Sequence, residues 1–165
     1  MATGESAMAA RSRSAKLWSM GERIILSLWV GGMWAIGYLA VPVLFYSLDN
    51  RTLAGEIAAP MFKIINGVGL GCGAFLLLSA ALSRGRAWYR SWRVGVIVVM
   101  MAVAAVILFV ISPQMAALKA QVAAAGGELG PQFGRLHGIS SVLYLLASLL
   151  GLLLVAGGAR RDPEY

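Results

Sequence analysis

The chain reads as an all-α integral membrane protein, a four-helix bundle, and three observations predict this. Four stretches, 24–48, 64–83, 94–118 and 136–159, contain no Asp, Glu, Lys or Arg, and about 20 apolar helical residues suffice to cross a hydrocarbon core at 1.5 Å rise per residue. Of the 165 residues, 59% are hydrophobic and 13% charged, against about 25% charged in soluble domains. The charges fall in the gaps between the apolar stretches, where a bilayer-spanning chain returns to water. A soluble globule is excluded by that pattern, and the length allows one domain.

The same charges orient the chain. Arg11, Arg13, Lys16 and Arg23 precede the first stretch, Arg84, Arg86, Arg90 and Arg93 fill the middle gap, and Arg160 and Arg161 follow the last. The opposite side holds Arg51, Lys63, Lys119 and Arg135, interleaved with Asp49, Glu56 and Glu128. Basic residues accumulate on the cytoplasmic side, so the N and C termini and the middle loop are expected there. The expected organisation is a disordered basic cytoplasmic tail over 1–21, a transmembrane domain over 22–159 with spans near 24–46, 61–83, 94–113 and 137–158, and a short cytoplasmic tail over 160–165. A bacterial inner membrane is the expected location. The net charge of +7 then points to the lipid bilayer and its anionic headgroups as partners, and not to nucleic acid. Cys72 stands alone in an apolar stretch, which leaves no disulfide framework and makes it a small packing residue.

Taken in order, the first span carries Trp29, Gly31, Gly32, Trp34, Tyr38 and Pro42. Pro42 has no N–H to offer the carbonyl of Tyr38, so a bend is expected near the outer end. Residues 49–59 read as an outer loop or short surface helix, with Pro60 in the first turn of the second span. In that span Gly67 and Gly71, and Gly69 and Gly73, form two pairs spaced four apart, which clear helix stripes for close packing against a neighbour or another protomer. Asn66, one turn inside Lys63, needs a hydrogen-bond partner within the bundle. The middle loop interleaves Trp88, Tyr89 and Trp92 with arginines, an interfacial anchor. The third span is almost uniformly aliphatic up to Ser112, Pro113 marks a bend, and an Ala-rich helical extension runs on to a stop at Gly126 and Gly127.

The fourth span holds the one polar constellation. His137, Ser140, Ser141 and Tyr144 recur at i, i+3, i+4 and i+7 and share a helical face, which Ser148 and Gly151 continue. Polar groups in hydrocarbon cost free energy unless satisfied, so this face is expected to look into the bundle or a wet cleft. His137, the sole histidine, lies near its helix N-terminus and offers an imidazole that can bind a ligand or metal. With Tyr38 and Asn66, these four residues form the candidate ligand-binding set. Met61, Met115 and His137 all fall near the outer membrane face, and thioether plus imidazole ligands suit copper as Cu(I). Haem is the other candidate cofactor, although one histidine per chain would require a dimer for bis-histidine ligation.

The run Phe133-Gly134-Arg135-Leu136-His137-Gly138-Ile139-Ser140-Ser141 resembles a segment of the transmembrane protein 205-like family of small four-span membrane proteins. Trp29-Val30-Gly31-Gly32, Pro60-Met61-Phe62 and the helix spacing extend the resemblance over most of 17–159. Through that family's distant similarity to copper-resistance membrane proteins of the CopD type, the resemblance implies metal handling.

The charge-free stretches hold no carboxylate, so no acid–base pair is expected inside the bundle, and neither catalysis nor proton-coupled transport is expected. Two functions remain in view. One is a small-molecule or metal-binding protein with an outward pocket around His137. The other is a non-catalytic structural or accessory subunit, a homo-oligomer or a component of a membrane complex, assembled through the glycine-rich second helix.

Overall fold

The computed structural model describes residues 2–126 and 129–159, with side chains for 17–83, 88–126 and 129–157. The expected tail over 160–165, and the side chains of Arg11, Arg13, Lys16, Arg84 and Arg86 expected at lipid headgroups, lie outside what is described. The described residues are helical with no strand, and four segments are long and apolar enough to cross a membrane: Leu17–Ser47, Arg51–Ser83, Trp92–Ala125 and Pro131–Gly157. The protein is therefore an all-α, multi-pass membrane four-helix bundle.

The first span is built from α1 (Ala2–Trp34), a π-helical turn (Ala35–Ala40) and α2 (Val41–Ser47). The backbone of α1 is helical from Ala2, so most of the stretch read as a tail runs into the span as helix. Next comes α3 (Arg51–Arg84), followed by a 3-10 turn (Gly85–Arg90), α4 (Trp92–Val106), a second π-turn (Ile107–Ile111), α5 (Ser112–Ala125) and α6 (Pro131–Ala159). The segment around 49–59 is no separate loop. The Asn50 side chain accepts the N–H groups of Thr52 and Leu53 at 3.0 and 3.1 Å and starts α3 at Arg51. Pro60 consequently lies inside α3 and not in its first turn. The α5 extension ends at Gly126, whose φ of 66° is the left-handed stop that glycine adopts freely.

Both π-turns stop two residues before a proline, and the residue just before that proline closes the turn. Val41 N–H reaches back to Ile36 O, and Ser112 N–H to Ile107 O, in place of the usual four-residue bond. A proline would crowd the carbonyl one turn behind it, and widening the turn relieves the clash while keeping backbone groups paired inside lipid. Ser112 adds its hydroxyl, which donates to Ile107 O at 2.8 Å. The bends expected at Pro42 and Pro113 are thus built as widened turns, without open breaks in the hydrogen-bond ladder.

The four long helices form a ring in which α3 and α6 each touch both α1 and α4, so α1 and α4 stand at opposite corners, as do α3 and α6. Leu26, Trp29, Val30 and Met33 of α1 meet Ile65 and Leu76 of α3, Ile97 and Met100 of α4, and Tyr144, Ala147 and Leu154 of α6. Glycine sets how closely they meet. A Cβ built on Gly69 would lie 2.5 Å from Trp29 Nε1, and one on Gly73 would lie 2.5 Å from Met101 Sδ. One pair of α3 glycines therefore seats the neighbours α1 and α4. The other pair, Gly67 and Gly71, has nothing within 4 Å.

Candidate functional site

Three polar groupings occur along the bundle. The central one joins α1 to α6 across the first π-turn. Tyr144, buried, donates its phenolic O–H to Met33 O at 2.7 Å, and Phe62 meets its ring edge-on at 5.0 Å between centroids. Gly37 makes this possible, because a Cβ there would fall 2.5 Å from Tyr144 Cε1. One turn further along α6, the Ser148 hydroxyl donates to Leu145 O at 2.8 Å, so the Tyr38 O–H donates to Ser148 Oγ, also at 2.8 Å. The Trp34 ring lies against Tyr38, 4.5 Å between centroids and tilted by 37°, and points its indole N–H at Ser148 O, 3.4 Å away. Every polar side-chain atom buried among the described residues has a partner. The central grouping is a lock between two helices, with its donors already committed.

The second grouping sits at the end of the bundle where the span Leu17–Ser47 and α4 begin. Ser79 of α3, 1% exposed, donates to a Glu22 carboxylate oxygen and accepts the Trp18 indole N–H at 2.6 Å. Glu22, Arg93, Leu26, Leu76, Ala80, Val94 and Ile97 line a cavity of about 20 Å³, room for about one water molecule. This corrects the expectation of a bundle without a carboxylate. Glu22 lies just outside the charge-free stretch, yet within the helical span Leu17–Ser47. The signal was present, since Glu22 precedes Leu26, Trp29 and Met33 at i+4, i+7 and i+11, which is the buried face of α1.

The third grouping is at the opposite end of the bundle. His137 is exposed and its ring lies parallel to Phe133, 6.4 Å between centroids, with Lys119 Nζ 5.6 Å from the Phe133 centroid. Ser140 and Ser141 both donate to His137 O, at 2.8 and 2.9 Å. The polar face of α6 is therefore divided. Tyr144 and Ser148 turn into the bundle, whereas His137 and Ser141 are exposed near the start of α6. Serines can satisfy themselves on a carbonyl three or four residues back, so polarity alone does not turn them into the bundle.

Of the six candidate ligand-binding residues, Tyr38 and Tyr144 come together, joined by Trp34, Phe62 and Ser148, which the candidate set did not include. His137, Ser140 and Ser141 form their own cluster. Asn66, buried, donates to Phe62 O of its own helix at 2.8 Å. Of the candidate copper ligands, Met61 is half-buried and Met115 packs on the apolar core, while the His137 ring is exposed beside Phe133. Among the described residues, no three His, Cys, Asp or Glu side chains gather in a way that could hold a metal ion.

Neither a curated protein nor a solved structure matches the chain. Residues 24–124 match the family described as Domain of unknown function (DUF4149). The match takes in α1 from Ile24, both π-turns, α3, α4 and nearly all of α5, and stops before α6 and its His137 segment. With well over half of its length inside that match, this multi-pass membrane protein belongs to the DUF4149 family.

Proposed function

We propose that the protein is a non-catalytic structural or accessory membrane subunit that docks an uncharged transmembrane helix of a partner protein on the lipid-facing side of α3. The observation that carries this reading is the division of the α3 glycines. Gly69 and Gly73 are occupied by Trp29 and Met101, while Gly67 and Gly71 are exposed with nothing within 4 Å of a built Cβ. Ile64, Val68 and Leu78, all exposed, flank the open pair. Helices in lipid associate through small residues that let backbones approach, so an open glycine pair on an otherwise bulky apolar face suits a second helix better than it suits acyl chains. The committed donors of the central grouping agree with a scaffold. In this reading the chain ends lie on the cytoplasmic side of a bacterial inner membrane, with anionic headgroups against the arginines, and the excess of basic residues around the chain ends and the middle loop supports it.

Because nothing touches these positions within the chain, Gly67→Leu and Gly71→Leu are expected to leave the thermal midpoint in detergent within about 2 °C of the parent. In membranes, the same variants are expected to reduce chemically cross-linked partner, or self-linked chain, by about fivefold or more. Unchanged cross-linking in the double variant would remove the basis for this reading.

A metal- or small-molecule-binding role around His137 is the second reading. The exposed imidazole at the start of α6 favours it, as does the resemblance of that segment to the transmembrane protein 205-like family. The neighbouring Lys119 ammonium counts against a cation there, which places this reading second. Elemental analysis of the purified protein and its His137→Ala variant separates the two readings. Copper near one equivalent per chain, lost in the variant, would favour the second.

A further inference from the structure

The first and second halves of the chain repeat each other at an interval of 71 residues without a gap. Pro42 pairs with Pro113 and Pro60 with Pro131, so four of the five prolines are matched. Pro60, Phe62 and Gly67 recur as Pro131, Phe133 and Gly138, and Ala54-Gly55 recurs as Ala125-Gly126. The helices repeat in the same way. The order of α1, π-turn, α2 and α3 is followed by α4, π-turn, α5 and α6, with α2 beginning at Val41 and α5 at Ser112. The widened-turn bonds, Val41 N–H to Ile36 O and Ser112 N–H to Ile107 O, are themselves 71 residues apart. Burial follows the interval too: Leu26 with Ile97, Trp29 with Met100 and Met33 with Ala104 are all core positions.

We infer that the bundle is a fused pair of parallel helical hairpins, each the interaction surface for the other, with Glu22 and Arg93 as matched positions bearing opposite charges across the axis between them. Corresponding helices stand at opposite corners of the ring, α1 across from α4 and α3 across from α6, as an axis along the membrane normal requires. Corresponding residues can face one another only at that axis. Glu22 and Arg93 line a single cavity, and so do Leu26 and Ile97, one turn deeper. An identical pair of charges there would repel in a poorly hydrated space, so fusion into one chain allows what two identical hairpins could not have, a carboxylate on one side and a guanidinium on the other. The halves have also diverged to fit each other elsewhere. Tyr144 corresponds to Gly73, and the Gly37 that admits Tyr144 corresponds to Leu108.

The test uses the full-length chain in a Cys72→Ala background. Leu26→Cys with Ile97→Cys, the matched pair at the cavity, is expected to be joined within one chain by a short thiol-specific bifunctional cross-linker, since the two side chains face each other across the cavity. Leu28→Cys with Val99→Cys, equally spaced but exposed, is expected not to be joined. Glu22→Arg and Arg93→Glu are each expected to lower the thermal midpoint by about 10 °C, and their combination to recover at least half of the summed loss. Where charge reversal prevents folding, Glu22→Gln, Arg93→Gln and the double variant are expected to show losses smaller in combination than in sum. Failure of the Leu26/Ile97 pair to cross-link, or strictly additive losses in the charge series, would overturn the inference.

Discussion

Gly69→Leu is expected to destabilise the bundle by about 3 kcal/mol or more, enough to leave much of the protein misfolded on purification. Its Cβ alone would stand 2.5 Å from Trp29 Nε1 and 3.0 Å from Cε2. The indole cannot step aside, because Trp29 is 2% exposed and packed among Leu26, Val30 and Met33 within the core. In lipid, helix association draws on close packing with little help from water exclusion, so separating α1 from α3 by the width of a side chain removes the contacts that hold them. Thermal unfolding in detergent, followed by tryptophan fluorescence, is the measurement. Gly71→Leu, two residues on and facing outward, is its control. Equal damage from both would mean that the close approach at Gly69 is not what matters.

Tyr144→Ala is expected to cost about 3 to 4 kcal/mol, and Tyr144→Phe about 1 kcal/mol. The alanine variant leaves a hole where the ring meets Phe62 and Gly37, whereas the phenylalanine variant keeps the ring and loses only the bond to Met33 O. Interhelical hydrogen bonds in membranes contribute modestly, since the separated helices find other partners, so packing should dominate. Denaturant unfolding of the three proteins side by side checks the ratio. A phenylalanine variant as weak as the alanine one would make the hydrogen bond, and not the ring, the principal tie between α1 and α6.

Span number and fold class were legible from the charge-free stretches alone, since hydrocarbon excludes charge so strongly that hydropathy works almost as a ruler. Helix ends were not. Arg51, Glu56, Glu22 and Arg23 interrupt an apolar run without interrupting a helix, whose backbone bonds do not depend on side-chain charge, so α3 begins well before the apolar stretch that suggested it. Of the candidate site, Tyr144 turns inward on its helical face, but its partner is a backbone carbonyl, to which side-chain pattern gives no clue. The exposure of His137 follows from its height on α6, beyond the level where Tyr144 is enclosed. Helical periodicity fixes an angle around the axis and says nothing about height. The same periodicity carries the buried face of α1 back to Glu22, beyond the last uncharged residue.

The contact between Glu22 and Ser79 also bears on how the chain enters its membrane. The two residues are 57 positions apart, so when α1 emerges from the ribosome and reaches the translocon, the serine that will receive its acidic group has not yet been made. A carboxylate drawn into hydrocarbon at that moment would meet an insertion penalty of about 2.5 to 3.5 kcal/mol at mid-depth and less near the surface. Insertion of the first segment therefore costs least when its acidic end stays in the headgroup layer until α3 stands beside it.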